Sequence, residues 1–225
     1  MNRELKNDVI FYCQRMDLKG WVANHDGNVS VRLSAERFLV TPSGVPKFKI
    51  TERDLLEVNL GGEVLSGHGK VFSEWAYHAR AYQARSDVRA VVHAHPVCAT
   101  AVGCTGQEIG LSALPEAVVS LGAGVPCVPL HVPGNTEGVA MFAKLSEHYQ
   151  ALLVGGNGVF AWGVDLEQAF LRVELVEHAA SIFFEASRLG STISLEKAAV
   201  AELLAKRAKA GLDRPADPDR KHWFP

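Results

Sequence analysis

Short β-type runs alternate with helical stretches along almost the whole chain, and that alternation constrains its fold more than any other feature. Apolar residues at helical spacing (Val9, Ile10, Tyr12, Cys13, Met16) predict a helix from Leu5 to Leu18, ended by Gly20. Extended runs are expected at Asn28 to Leu33 and at Phe38 to Thr41, followed by a turn at Pro42-Ser43-Gly44. A hairpin is expected between Asp54 and Leu65, around Gly61-Gly62. Ser73 to Arg85 reads as a helix with Ser73 as its N-cap and Trp75, His78, Ala79 and Tyr82 on one face. Ala90 to His93 is a strongly apolar strand that runs into His95-Pro96, with a further helix after the proline. The stretch from Gly124 to Leu130 is a strand broken by Pro126, which places it near an edge or makes it irregular. Asn135 to His148 is helical, and Ala151 to Val154 and Gly158 to Trp162 are short strands. Asp165 opens the clearest helix, with Gln168 at the capping-box position and Gly190 as its stop. A last helix runs from Ser194 to Ala210. Interleaved strands and helices give an α/β layered domain, whose strand order the sequence leaves open.

The chain has 225 residues, 48% of them hydrophobic and 21% charged, enough apolar material for one sizeable core. A formal net charge of -2 offers no electrostatic footprint for nucleic acid. Apolar stretches are interrupted before they reach the length of a bilayer span, so no membrane association is expected. The N-terminal MNRELKND lacks the apolar core and cleavage site of a secretory signal, which points to the cytoplasm. Cys13, Cys98, Cys104 and Cys127 form no C-x-x-C pair, and they read as buried thiols in a reducing compartment rather than as a thiolate metal site. The Pro-rich tail, residues 213–225, is expected to form an arm beyond a domain of residues 1–212.

Three constellations could carry chemistry. His93 and His95 are two apart on an extended segment and point to the same side, so their rings converge at a separation one metal ion can bridge. The competing reading is a pair of hydrogen-bonded core histidines. Glu74 sits at a helix start, where a carboxylate complements the helix dipole; beside a divalent cation it would instead shuttle a proton. Gly27-Asn28-Val29-Ser30 and Thr41-Pro42-Ser43-Gly44 are small polar loops at strand edges, suited either to plain turns or to donating hydrogen bonds to a phosphate.

These pieces occur in one order: DGNVSVR, TPSGVP, SEWAYHARAYQARSDVRAVVHAHP, then LLVGGNGVFAWG before a long helix. In that order they resemble the class II aldolase/adducin family, over about residues 3–190, most specifically from Ser73 to Pro96. The resemblance implies an α/β/α sandwich around a mainly antiparallel central sheet. It implies homotetramers with active sites at subunit interfaces and small-molecule substrates. It also implies a divalent metal held by three histidines, most often Zn²⁺, with Mn²⁺ or Fe²⁺ as alternatives. Carried over, His93 and His95 are metal ligands and Glu74 is the acid/base. Gly27, Asn28, Ser43, Gly44 and Ser73 would line the substrate or phosphate site. Aldol cleavage leaves an enediolate, and a cation stabilising that charge is worth several kcal/mol.

Three departures mark this sequence. The third histidine of the family is replaced by Asn157, a weaker and harder ligand, with His25 and His131 as candidate substitutes. The family's Ser-Ser-Glu segment reads Phe72-Ser73-Glu74, which weakens a phosphate seat. Two tyrosines of the family's sugar-phosphate aldolase are matched by Glu116 and Ala210, so that enzyme's own sugar is not the expected substrate. Glu116 is then a candidate for an acid/base or ligand role, or a plain helix-start carboxylate. The leading expectation is a lyase performing aldol cleavage, or related decarboxylation, of a small sugar-phosphate-like or hydroxy/keto acid substrate. An epimerase or dehydratase on the same metal site, and a non-catalytic adducin-like binding module, are the alternatives.

Overall fold

The computed structural model describes residues 3–132 and 135–214. Most of the expected arm, residues 215–225, lies outside the described residues. Ten strands alternate with seven helices among them. The strands are β1 (Asn28–Arg32), β2 (Phe38–Val40), β3 (Leu56–Val58), β4 (Val64–Ser66), β5 (Ala90–Ala94), β6 (Ile109–Gly110), β7 (Gly124–Val125), β8 (Cys127–Val128), β9 (Ala151–Val154) and β10 (Val159–Gly163). The helices are α1 (Arg3–Leu18), α2 (Trp75–Ala84), α3 (Val97–Cys104), α4 (Pro115–Leu121), α5 (Thr136–Ser146), α6 (Leu166–Leu189) and α7 (Lys197–Lys209).

Eight strands form one sheet in the order β4-β3-β2-β1-β5-β10-β9-β8. Every pairing in it is antiparallel except β8 with β9. The expected fold, an α/β/α sandwich around a mainly antiparallel sheet, is the one observed. Pro126 splits the irregular strand as its missing N–H requires: β7 pairs with β6 in a separate two-stranded sheet, and β8 takes the edge of the main one.

Strict alternation along the central strands sorts side chains into two cores. Val29, Val31, Ala90, Val92, Ala94, Val159 and Ala161 face the side covered by α1, α3, α4 and α6. Val91, Phe160, Trp162 and Leu152 face the side covered by α2 and α5. β5 lies between β1 and β10, with His93 opposite Asn28 on one flank and Phe160 on the other. Both histidine positions therefore share the α2 side of the sheet.

Caps explain the long helices. Asp165 accepts from the Gln168 N–H at 2.7 Å, and the Gln168 amide oxygen accepts from Val164 N–H at 3.1 Å, a capping box displaced by one residue. Asn135 caps α5 by accepting from the N–H groups of Glu137 and Gly138. Two expectations need correction. Ser73 does not cap α2: that helix starts at Trp75 after Glu74, and the Ser73 hydroxyl donates to the Glu74 carboxylate at 2.9 Å instead. The last helix starts three residues later than expected, at Lys197. Of the four thiols only Cys13 and Cys127 are buried; Cys98 is half-buried and Cys104 exposed. Burial pushes the Cys13 thiol up to about 12 and Cys127 to about 11, so neither is a reactive thiolate. Among the described residues no helix is long and apolar enough to cross a membrane.

Candidate functional site

A cavity of about 280 Å³ opens where the ends of β1 and β5 meet the start of α2. Its wall gathers His93, His95, Asn157, Glu74, Asn28 and Asp26, with Gly27, Ser43, Gly44, Phe72, Ser73 and His25 completing it. Ten residues named from the sequence are thus brought together from five separate stretches of chain. Glu116 is not among them. It is exposed in the first turn of α4, because that helix lies on the opposite side of the sheet. His131 does not reach the cavity either, since it packs against Gly138 in α5, where an added Cβ would lie 2.7 Å from its ring. His25 does line the cavity, as an exposed residue at its edge. Ala210 follows α7 and takes no part.

Register builds the centre. Asn28 opens β1 directly across from His93, so the loop before β1 must pass over the end of β5. Gly27 makes that passage possible: it has φ +68°, and a Cβ there would lie 2.5 Å from Val22 and 3.1 Å from the His93 carbonyl oxygen. On the other flank Gly158, at φ +70°, presses its backbone against β5, with a virtual Cβ only 2.3 Å from the Ala94 carbonyl oxygen and 2.8 Å from the His95 ring. That contact carries Asn157 to the cavity wall.

Each histidine ring is fixed by a different partner. His93 is fully buried and stacked on Phe160, with ring centroids 3.9 Å apart. Its Nδ1 lies 3.0 Å from the Val159 carbonyl, which can only accept, so the proton is on Nδ1 and the Nε2 lone pair faces the cavity. Burial holds the His93 pKa well below its ordinary value, and His95 lowers it further, which keeps the ring in its neutral, ligating form. His95 is half-buried; its Nδ1 faces Asp26 Oδ2 at 3.5 Å and its Nε2 lies 3.1 Å from the Nε2 of His93.

These contacts test the fit to a metal. With protons on both Nδ1 atoms, two lone pairs confront each other at 3.1 Å, an arrangement relieved by a cation between them. That separation is what two bonds of roughly 2.0–2.1 Å to one ion span at a near-tetrahedral angle. Among the described residues no group of three or more His, Cys, Asp or Glu side chains is arranged around a metal. Asn157 lines the same cavity and offers an amide oxygen. His93 and His95 fit a divalent cation, and an amide completing the set would hold it less tightly than a third imidazole.

Glu74 stands half-buried across the cavity. Its Oε1 accepts from Ser73 and its Oε2 accepts from the Asn28 amide at 3.3 Å. Asn28 is 3% exposed, and its own carbonyl oxygen has no partner. A buried acceptor without a donor is costly, so this oxygen is suited to a ligand hydroxyl.

Sequence reasoning passed over two groups. Asp26 opens the DGNVSVR segment, but only strand register shows that it reaches His95. Lys47 is 1% exposed and donates to the carbonyls of His25 and Val45, both at 3.2 Å. Burial lowers its pKa, while Cys13, Asp26 and Glu74 oppose that shift. No sequence signal marks a lysine in a loop as buried.

Comparison with known proteins identifies the family. The family model of the Class II Aldolase and Adducin N-terminal domain matches residues 7–184. The L-fuculose phosphate aldolase of Escherichia coli is 33% identical over 182 residues, covering 80% of this chain and 82% of the relative. The methylthioribulose-1-phosphate dehydratase of Acidiphilium cryptum is 30% identical over 184 residues, covering 78% and 87%. A solved L-fuculose 1-phosphate aldolase superposes with a TM-score of 0.84 at 28% identity, covering 92% of this chain and 97% of that one. With its sheet, its histidine pair and its cavity in place, the chain belongs to the class II aldolase and adducin N-terminal domain family, as an enzyme of the aldolase type.

Proposed function

We propose that the protein is a metal-dependent lyase that reversibly cleaves a carbon–carbon bond next to a hydroxyl in a small polyhydroxylated or keto acid substrate. The observation that carries this reading is the meeting, in one cavity, of the facing Nε2 atoms of His93 and His95 with the Glu74 carboxylate. Bound by His93, His95 and Asn157, a divalent cation, Zn²⁺ by family habit, supplies Lewis-acid stabilisation of negative charge on the substrate oxygens. Glu74 takes the proton of the hydroxyl next to the breaking bond. The electron pair of that O–H becomes the new carbonyl, and the carbon–carbon pair passes to the other fragment as an enediolate. The same carboxyl group returns the proton to carbon. General acid–base help of this kind contributes roughly 10²–10⁴-fold.

The remaining side chains orient the substrate. The unpaired Asn28 carbonyl oxygen accepts from a substrate hydroxyl. Gly27, Ser43, Gly44 and Ser73 present backbone and hydroxyl donors along the rim, a seat for a phosphate or carboxylate end, with Phe72 narrowing it. In this reading the protein is a homotetramer. Exposed Phe11, Leu171 and Phe184 leave apolar surface for subunit contacts, and Glu116, away from its own cavity, is available to a neighbour's.

Glu74→Gln is the test. It keeps the planar shape of the carboxylate and one acceptor oxygen for the Asn28 amide but cannot take a proton; turnover falls to background while metal content, measured by atomic absorption, stays that of the wild type. Undiminished turnover in Glu74→Gln removes the proposed acid/base. A second reading, loss of water from a sugar-phosphate-like substrate, is favoured by the likeness to the Acidiphilium cryptum dehydratase. Product analysis separates the two: cleavage yields two carbonyl fragments, dehydration a single product lighter by one water.

A further inference from the structure

Among the described residues Asp26 is the carboxylate paired with the histidines, and several parts of the fold hold it there. The register of β1 against β5 sets Asn28 opposite His93, and continuing it by two residues brings Asp26 opposite His95. The observed contact is 3.5 Å, from Asp26 Oδ2 to His95 Nδ1. The other carboxylate oxygen accepts from the Ala23 N–H, closing a tight turn in which Asn24 takes φ 53°, unusual for a residue other than glycine. Lys47 clamps the same loop from below through the His25 carbonyl, and the His95 N–H donates to the Trp21 carbonyl at 2.8 Å. A strained turn, a buried ammonium and a strand-end hydrogen bond thus converge on keeping one carboxylate beside one imidazole.

The consequence follows from charge and tautomer. A His95 ring with its proton on Nδ1, toward Asp26, presents a bare Nε2 to the cavity. His93 reaches the same state through the neutral Val159 carbonyl. The three groups facing the cation, two imidazoles and one amide, carry no charge, and Asn157 is the weakest donor among them. A carboxylate facing the far nitrogen of a ligating imidazole favours the proton there and orients the ring toward the ion.

We propose that Asp26 is a positioning residue for His95, holding that ring in its metal-ligating tautomer and offsetting the weak amide that Asn157 brings to the site. The inference rests on the metal-dependent reading of the site and deepens it. It concerns affinity for the cation and ring orientation, not a new catalytic group.

Zinc affinity, measured by competition with a chromophoric chelator, tests it on the wild type, Asp26→Ala and Asp26→Asn. Wild type binds one zinc per chain. Asp26→Ala loses about ten- to hundredfold in affinity, and Asp26→Asn, which keeps an acceptor but no charge, falls between. In zinc-loaded protein, a downfield His95 Nδ1–H proton resonance is present in the wild type and lost in Asp26→Ala. Thermal midpoints of the metal-free proteins separate this from general damage, and Asp26→Asn serves if the alanine variant does not fold. Affinities within threefold across all three proteins, with the resonance retained, overturn the role of Asp26 and leave the metal reading standing. A wild type that binds no zinc, manganese or iron overturns both.

Discussion

Gly158→Ala probes how the fold delivers both Asn157 and His95. Gly158 has φ +70°, and a Cβ at that position would meet the Ala94 carbonyl oxygen at 2.3 Å, the Ala94 carbonyl carbon at 3.1 Å and His95 Cδ2 at 2.8 Å. The left-handed backbone alone costs an L-residue about 1–2 kcal/mol. The contact adds to this, because the Ala94 carbonyl is backbone of the central strand β5 and cannot swing aside; forced insertion into packed structure costs about 1–3 kcal/mol. The combined loss is about 3 kcal/mol. For a chain of 225 residues, where 1 kcal/mol moves the midpoint by about 2–4 °C, calorimetry should show a fall of roughly 6–12 °C. Gly106→Ala is the control: its φ is +73° and nothing lies within 4 Å of the added atom, so it bears the backbone cost alone. Zinc affinity should drop in Gly158→Ala and not in Gly106→Ala, since only the former displaces the His95 ring. Equal midpoints for the two variants, or unchanged zinc affinity in Gly158→Ala, would refute the claim that this close approach holds the site together.

Asn157→His should tighten zinc binding by about tenfold or more, since it replaces an amide oxygen by an imidazole; affinity equal to the wild type means that Asn157 faces away from the ion. His78 predicts a pH dependence of stability. It is fully buried with Nδ1 on Ser30 Oγ at 2.7 Å and Nε2 without a partner, and burial lowers its pKa to about 3 from 6.5. The native state therefore refuses a proton that the unfolded chain accepts below pH 6.5, so stability is full above that value and falls as pH drops toward 3. Between pH 7 and pH 5 the loss from this one group is about 2 kcal/mol, and His78→Gln should flatten that part of a denaturant-derived stability curve. An equally steep curve in the variant would show that His78 is not the group responsible.

What could be read from the chain before its structure divides along physical lines. Helix ends were legible where a side chain caps its own helix within four residues, as at Asp165 and Asn135. The start of α2 was misplaced because Ser73 has a stronger partner, the Glu74 carboxylate, than the helix N–H groups it could have capped. The facing of His93 and His95 followed from strand periodicity alone. The resemblance supplied the central members of the cavity. It did not place Glu116, which lies on α4 across the sheet from the cavity. Register was beyond the sequence: nothing local to Asn28 tells that it pairs with a residue 65 positions later. Without register, nothing in the sequence singles out Asp26.

The same register explains why chemistry sits at this end of the sheet. Toward their middles β1, β5 and β10 are covered on both faces, and the side chains there are mostly apolar or bonded to one another, as where the Ser30 hydroxyl bridges His78 and Tyr82. The unpartnered polar group that faces the cavity, the Asn28 carbonyl oxygen, lies where the strands run out, whereas His78 Nε2 and Trp162 Nε1 are sealed among side chains. Asn28 is the first residue of β1, and His95 lies just past the end of β5. There the loops bring Asp26, Glu74 and Asn157 against the imidazoles without burying any of the three completely. A site made deeper in the sheet would have to be satisfied by its own backbone neighbours, leaving nothing for a substrate. One made further out would lose the rigid strand that keeps two nitrogens 3.1 Å apart. The histidine pair straddles that boundary: His93 is locked by Phe160 and the Val159 carbonyl inside the fold, whereas His95 depends on a carboxylate from a loop. His95 is therefore the ligand through which substitutions at residues 23–26 act, and His93 should be indifferent to them.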